Sequence, residues 1–382
     1  MVKNEGQNIL LVYLKTGGGH LSAATALQEA IDKLYQGKTG RVFLWNPLQK
    51  KRTFLSTFLE NGYRVVSNHL PRLWILIFES TKLPFFRKLA DQFFYHCLKK
   101  EIRSEIERLK IDKIVILHFI LIEPVYRTVT KKKLPIPVIT VVTDPFTPHP
   151  YWFENRRLET VVFSKRALSY ARDKLGIPER LLHQYPIILK EKHKRPYLPS
   201  QKQQTRRMYG FTGDMPIVLV AGGGEGLASA VDIVRAFINQ QFSCYLVVVC
   251  GYDEHARKKI TALAADNEVP SIRAYGYIDY MADLMNIADI VISKGGPATV
   301  METLILGKPL IVTSYLYGQE RGNVDFIVRN GAGFFIENPS KIVDTVKELL
   351  DNPEAFRAYK RRIEDLAIKS GTAEVARFIV EQ

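Results

Sequence analysis

Short, continuous apolar runs recur along the chain. Each is followed by a loop rich in glycine, proline or acid, and then by a stretch with helical spacing. In the first half these runs predict strands at residues 9–14, 41–46, 113–118, 137–143 and 160–163. In the second half they predict strands at residues 216–220, 245–250, 272–275, 289–293 and 310–314. Repeated strand, loop and helix is the pattern of a doubly wound α/β fold with parallel sheets. The two halves open alike, with a triple glycine after the first strand of each. Residues 190–207 are polar, basic and almost free of apolar side chains, which suits a linker or a helix cap and hinge. Domains are therefore expected at 1–195 and 196–382. Helices are expected at 339–350 and 353–382; the last carries a packing face of Phe356, Tyr359, Ile363, Leu366 and Ile368, and is expected to pack back on the N-terminal domain.

Length adds that 382 residues give each of two domains its own core. Three cysteines, Cys97, Cys244 and Cys250, have no metal-ligand spacing and read as reduced thiols of a cytosolic protein. No signal peptide is read ahead of the first strand. The longest apolar run of the basic segment, residues 73–78, is far shorter than the roughly 20 residues of a membrane span. Net charge changes the picture once it is divided. Residues 1–200 carry 34 Lys and Arg against 17 Asp and Glu, while residues 201–382 carry 20 against 22. Within the basic half, residues 50–100 interleave Lys50, Lys51, Arg52, Arg64, Arg72, Arg87, Lys88, Lys99 and Lys100 with aromatics from Phe54 to Tyr95. That mixture suits an interfacial element on an anionic lipid surface. The plainer reading is a helical insertion with its aromatics in the core. No RNA-binding module is present, so nucleic acid is not expected.

Candidate chemistry gathers at the predicted strand ends. Gly295-Gly296-Pro297 opens a helix, whose free N–H groups and positive dipole end suit an anion. Glu302 lies near the same end, and Gly318, Gln319 and Glu320 follow the next strand. A phosphate cradle, a carboxylate for ribose hydroxyls and a polar loop describe a nucleotide-sugar site. After the first strand, Lys15 to His20 form a glycine loop that is neither a Walker loop nor a dinucleotide fingerprint. His20 is placed for chemistry at the helix start, against the alternative of a tight turn with a cap. Asp144 ends another strand and is a general base, an orienter of His20 or a simple turn cap. His149 reads as a phosphate contact or as a solvated loop residue.

Five blocks in order carry a resemblance: TGGGH at 16–20, Thr143-Asp144 with His149-Pro150-Tyr151-Trp152, GGGEG at 222–226, Lys294-Gly295-Gly296-Pro297 with Glu302, and GQERGN at 318–323. Over roughly residues 8–350 the chain resembles the monogalactosyldiacylglycerol synthases and bacterial diacylglycerol glucosyltransferases of glycosyltransferase family 28. The peptidoglycan N-acetylglucosaminyltransferase is a more distant cousin. The resemblance implies a GT-B fold, α/β with two Rossmann-like domains facing across a cleft. It implies transfer of galactose or glucose from a UDP-sugar to the 3-hydroxyl of diacylglycerol, with inversion. No essential metal and no cofactor are implied, and the place implied is peripheral, on the cytoplasmic face of a membrane.

Roles carry over by position. His20 deprotonates the acceptor hydroxyl, and Asp144 is base or partner of His20. Gly222, Gly223, Gly224, Glu225 and Gly226 line the donor side, and Tyr277 lies by the uracil. Lys294, Gly295, Gly296, Pro297, Ala298 and Thr299 hold the diphosphate and Glu302 the ribose. Gln319 and Glu320 hold the sugar, supported by Asn323, while Gly18, Gly19 and Trp152 serve acceptor or lipid. Two departures concern the acceptor side. Lys15 stands where plant-type members carry Asp, leaving Asp144 or Glu123 to compensate or Lys15 to bind lipid phosphate. His118-Phe119 stands where the family has His-Pro. Competing readings are transfer of N-acetylglucosamine to a polyprenyl-linked acceptor, a UDP-sugar epimerase, and a non-catalytic membrane sensor of nucleotide sugars. GQERGN in place of a Gln-Gln pair argues against the first.

Overall fold

The computed structural model describes residues 6–15, 18–36, 40–49, 62, 66, 70–193 and 195–382. These divide into two compact units. The first comprises Met1–Lys190, Tyr317–Gln319 and Ser370–Gln382, and the second comprises Glu191–Leu316 and Glu320–Lys369.

The first unit is built on six strands, β1 (Ile9–Val12), β2 (Val42–Trp45), β3 (Lys113–Ile116), β4 (Val138–Val141), β5 (Glu159–Val162) and β6 (Leu182–Gln184). They pair in parallel in the order β2-β1-β3-β4-β5-β6. Successive side chains enter opposite cores. Leu10, Val12, Ile114 and Ile116 pack on one face, and Ile9, Leu11 and Val115 on the other. A sheet covered on both faces is why these strands read as unbroken apolar runs. The helices that concern function here are α1 (Gly19–Leu34), α2 (Pro71–Ser80), α3 (Pro84–Leu109) and α4 (Ile122–Lys131).

The second unit has strands β7 (Ile217–Ala221), β8 (Tyr245–Val249), β9 (Ile272–Tyr275), β10 (Ile290–Lys294), β11 (Leu310–Ser314) and β12 (Gly333–Phe335). They are parallel in the order β12-β11-β10-β7-β8-β9, the dinucleotide-fold order. Two helices follow its central strands, α5 (Pro297–Ile305) and α6 (Arg321–Arg329).

Three local expectations change. Within the expected linker, Glu191–His193 is a 3-10 turn and Pro199–Met208 a helix, whose start is fixed by Pro199 in the first turn and by Gln201 Oε1 accepting from the Leu198 N–H at 3.0 Å. The expected helix over 353–382 is two: Pro353–Asp365 ends near Ala367, which has φ +46°, and α7 (Thr372–Glu381) restarts after Gly371. Helix α7 packs in the first unit, where its Val375, Ala376, Phe378 and Ile379 join the core containing Ile9 and Ile31. β6 and β12 were not foreseen, since residues 182–184 and 333–335 are three-residue edge strands with one buried residue each.

Candidate functional site

In doubly wound sheets, ligands gather at the carboxyl ends of strands where the order reverses. In the first unit that point lies between β1 and β3. Helix α1 follows β1 and places His20 in its first turn. β3 ends toward His118, and β4 leads to Thr143 and Asp144. The His20 and His118 rings lie 4.7 Å apart. Thr143 Oγ1 is 2.8 Å from His20 Nδ1. Burial pushes the His20 pKa down to about 4, partly offset by a backbone hydrogen bond at Leu117. Burial, reinforced by His20, holds His118 well below its ordinary value. Both imidazoles are thus neutral at pH 7.

The side chain predicted to orient His20 was that of Asp144; the hydroxyl at His20 Nδ1 belongs to its neighbour Thr143. Asp144 Oδ2 accepts a hydrogen bond from Trp152 Nε1 at 2.7 Å. Trp152 is 1% exposed, so of its two expected places, near acceptor or against lipid, the second is corrected: the indole is buried, its N–H serves a carboxylate, and its ring lies 6.3 Å from that of His20. His149 is likewise buried rather than solvated, with Nε2 3.2 Å from the Phe78 carbonyl and 3.3 Å from Thr81 Oγ1. Glu123, a candidate to compensate for Lys15, accepts from Arg127 Nε at 2.5 Å, one helical turn along α4. Lys15 and Gly18 are exposed, while Thr16 and Gly17 lie outside the described residues. His118 was missed as a partner of His20 because nothing local in the sequence brings adjacent strand ends together.

The basic aromatic segment splits in two. Lys50, Lys51, Arg52, Phe54, Phe58, Tyr63 and Arg64 lie outside the described residues. Among the rest, Trp74, Phe78, Phe94 and Tyr95 are buried, so the interfacial expectation fails for them. Leu73, Leu76 and Ile77 of α2, and Phe85, Phe86, Leu89 and Phe93 of α3, are exposed at helical spacing. Arg72, Lys82, Lys88 and Lys100 are exposed on the same helices and their link. Nearby, a cavity of 460 Å³ is lined by Phe78, Phe146, Pro148 and Tyr170 together with Lys82, Arg166 and Lys174. Among the described residues no helix is long and apolar enough to cross a membrane.

In the second unit the order reverses between β7 and β10. After β7, Gly222 to Gly226 make a tight turn in which a Cβ on Gly222 would lie 1.9 Å from the Gly226 carbonyl oxygen. After β10, whose register shifts between Ser293 and Lys294, Gly295 and Gly296 lead into α5 with Pro297 in its first turn. Asn323 Nδ2 donates to the Gly295 carbonyl at 2.7 Å, so α6 fixes the turn. The early N–H groups of α5, those of Ala298 and Thr299, have no acceptor within the helix. Glu320 lies over this turn: its Oε1 is 3.7 Å from where a Gly296 Cβ would stand. Its Oε2 accepts from the Leu316 N–H at 2.7 Å, closing its own loop. Burial raises the Glu320 pKa, opposed by the Lys294 charge and the Leu316 bond.

Glu302 is buried on α5, with Oε1 3.8 Å from His193 Nε2, a neighbour hidden in the expected linker. Tyr277 is exposed and stacks on Tyr252, centroids 4.7 Å apart and planes 8° from parallel. Tyr252 was not singled out, although its N–H bonds the Gly224 carbonyl at 2.8 Å. Gln319 packs with the first unit, its carbonyl accepting from Thr147 Oγ1 at 2.9 Å and its buried Oε1 lacking a hydrogen-bond partner. Among the described residues no group of three or more His, Cys, Asp and Glu is placed to hold a metal ion.

Comparison with known proteins follows the same division. Residues 20–182 match the family model described as monogalactosyldiacylglycerol (MGDG) synthase, and residues 217–375 match the glycosyltransferase family 28 C-terminal domain. Monogalactosyldiacylglycerol synthase 1, chloroplastic, of Arabidopsis thaliana is 26% identical over 351 residues, covering 90% of this chain and 64% of the relative. A probable monogalactosyldiacylglycerol synthase 2, chloroplastic, of Oryza sativa subsp. japonica is 28% identical over 346 residues, covering 87% and 71%. The chain thus spans about two thirds of the length of such relatives. Among solved structures, Acinetobacter baumannii MurG superposes with a TM-score of 0.61 at 16% identity, over 98% of this chain and 100% of that one. Anabaena Alr3699/HepE in complex with UDP and glucose gives 0.56 at 12% identity, over 98% of each. The fold is that of the GT-B glycosyltransferases.

Proposed function

For a chain that belongs to glycosyltransferase family 28, its first half in the monogalactosyldiacylglycerol synthase family, we propose transfer of galactose or glucose from a UDP-sugar to the 3-hydroxyl of diacylglycerol. One observation carries this reading. Two switch points of one chain offer complementary chemistry, a neutral imidazole held by a hydroxyl in the first unit and an anion-ready helix start in the second.

On the donor side, the amides of Ala298 and Thr299 and the positive end of α5 hold the diphosphate, with Lys294 adding charge. Gly295, Gly296 and Pro297 let the phosphates approach closely. Glu302 holds the ribose, Tyr277 with Tyr252 flanks the uracil, and residues 222–226 complete the donor side. Glu320 and Gln319 hold sugar hydroxyls, and Asn323 keeps the turn in register. This reading assigns the leaving charge to amides and Lys294 and includes no metal; a chelator leaves the rate unchanged if it holds.

On the acceptor side, His20 removes the proton of the 3-hydroxyl as the oxygen attacks the anomeric carbon. The bond to the diphosphate breaks, UDP departs with that electron pair, and the configuration inverts. A half-buried imidazole with its pKa pushed down to about 4 is a weak base, so the Asp144 carboxylate is assigned the stabilisation of the imidazolium that forms. The exposed apolar stripe of α2 and α3, with its surrounding cations, meets an anionic membrane surface and brings the enzyme to its acceptor from the cytoplasmic face.

The test is incubation with vesicles containing diacylglycerol and labelled UDP-galactose or UDP-glucose. Labelled monoglycosyldiacylglycerol is expected from one donor in preference to the other. No labelled lipid from either donor refutes the reading.

A further inference from the structure

Residues 149–154 touch the helices of the apolar stripe on one side and Asp144 on the other. His149 Nε2 faces the Phe78 carbonyl and the Thr81 hydroxyl at the carboxyl end of α2. The Tyr151 hydroxyl donates to Asp91 Oδ1 of α3 at 2.6 Å. Glu154 Oε2 accepts from Arg87 Nε of α3 at 2.7 Å. Arg87 also donates to the carbonyls of Thr81 and Lys82 in the link between the two helices. Between these grips, Trp152 Nε1 donates to Asp144 Oδ2 at 2.7 Å.

Ordinary packing explains why the aromatic rings here are buried. It does not explain two buried carboxylates, Asp91 and Asp144, each held by the polar tip of one of two consecutive aromatic residues. A buried carboxylate is costly unless donors fix it, and fixed donors also fix its direction. The 3-10 turn Pro150–Phe153 spaces Tyr151 and Trp152 so that the two tips serve opposite sides.

We propose that residues 149–154 are a positioning brace for the reaction: Trp152 orients the Asp144 carboxylate, and Tyr151 with Asp91 and Glu154 with Arg87 fix that orientation to α2 and α3. Trp152 is therefore a positioning residue that acts through Asp144. The helices proposed to meet the membrane and the carboxylate proposed to assist His20 form one frame within the first unit. The inference rests on the transferase reading and on the role of Asp144 in it.

A double-mutant cycle in the full chain tests the brace, with kcat and KM for the donor measured on diacylglycerol vesicles and UDP binding measured by calorimetry. Trp152→Phe keeps a ring and removes the N–H. It is expected to lower kcat about tenfold with UDP affinity and binding stoichiometry unchanged, and to add less than about twofold in an Asp144→Ala background. Tyr151→Phe, which keeps the ring packed on Phe119 and removes only the bond to Asp91, is expected to lower kcat by about threefold and to lose that effect in the same background. Equal losses in both backgrounds, or full kcat in both single variants, overturn the brace. Full activity of Asp144→Ala would remove the role of Asp144, and the brace with it. A wild-type protein that transfers no sugar would instead remove the transferase reading.

Discussion

At the scale of single residues, burial sets the titration behaviour. His20 and His149 are pushed down to about 4 and His118 well below 6.5. A histidine whose folded pKa lies below its unfolded value contributes stability that is complete above the unfolded value, near 6.5, and is lost as pH falls toward the folded value. Asp91 opposes them, because burial raises it to about 6. Its contribution is complete below about 3.8 and is lost as pH rises through about 6. Glu320 and Asp32, also raised by burial, act in the same sense as Asp91. All three histidines lose their contribution within this window, so the melting temperature is expected to fall as pH drops from 7 to 5. Replacing His149 by Gln should flatten that slope; an unchanged slope would show that His149 is not the source. Activity separates from stability. With His20 already neutral, kcat/KM should stay within about twofold from pH 8 to pH 5.5 wherever circular dichroism shows a folded protein. An acid limb near 6.5 would show an imidazole in ordinary solvation.

At the scale of elements, α3 shows how one helix serves two purposes. Phe94, Tyr95, Leu98 and Ile102 enter the core, while Phe85, Phe86, Leu89 and Phe93 are exposed. Replacing Phe85, Phe86 and Leu89 together by Ser should weaken flotation with anionic vesicles at least tenfold, since each buried side chain contributes about 1.5–3 kcal/mol. The melting temperature should stay unchanged. Unaltered flotation would count against this stripe as a membrane-binding face. In the second unit the turn after β7 has no room for a side chain. Gly222→Ala would put a methyl 1.9 Å from the Gly226 carbonyl oxygen, and the backbone shift should cost about 1–3 kcal/mol. UDP affinity should fall with it, as calorimetry would show; wild-type stability and affinity would mean the turn adjusts freely.

At the scale of the whole molecule, the chain's end completes its beginning. Helix α7 buries Val375, Phe378 and Ile379 against the sheet of the first unit. The buried Lys113 donates through Nζ to the Ile379 and Val380 carbonyls at the end of that helix, at 2.6 and 3.3 Å. Ending the chain at Lys369 removes three large apolar side chains, worth about 1.5–3 kcal/mol each, and leaves a buried ammonium without those acceptors. That approaches the roughly 5–15 kcal/mol of a typical domain, so the shortened protein should lose the cooperative melting of its first unit. Two full melting transitions would contradict this.

What the sequence determined by itself is what local pattern carries. Among the described residues, continuous apolar runs marked the neighbourhoods of ten of the twelve strands, because a strand buried on both faces needs no partner to be recognised. Glycines and a proline marked the turns after β7 and β10, where backbone crowding and a helix start depend on the residues themselves. The mixed basic and aromatic character of residues 50–100 was legible as composition, but not which aromatics of its described part are exposed. Helical phase and the underlying core divide Trp74 and Phe94 from Phe86 and Phe93. Only the tertiary structure paired Thr143 with His20, His118 with His20, His193 with Glu302, and Trp152 with Asp144. Most of these partners lie far apart in the chain, and strand order brings them together. Trp152 and Asp144 are close in sequence, yet only the surrounding core turns the indole N–H toward the carboxylate rather than toward a lipid.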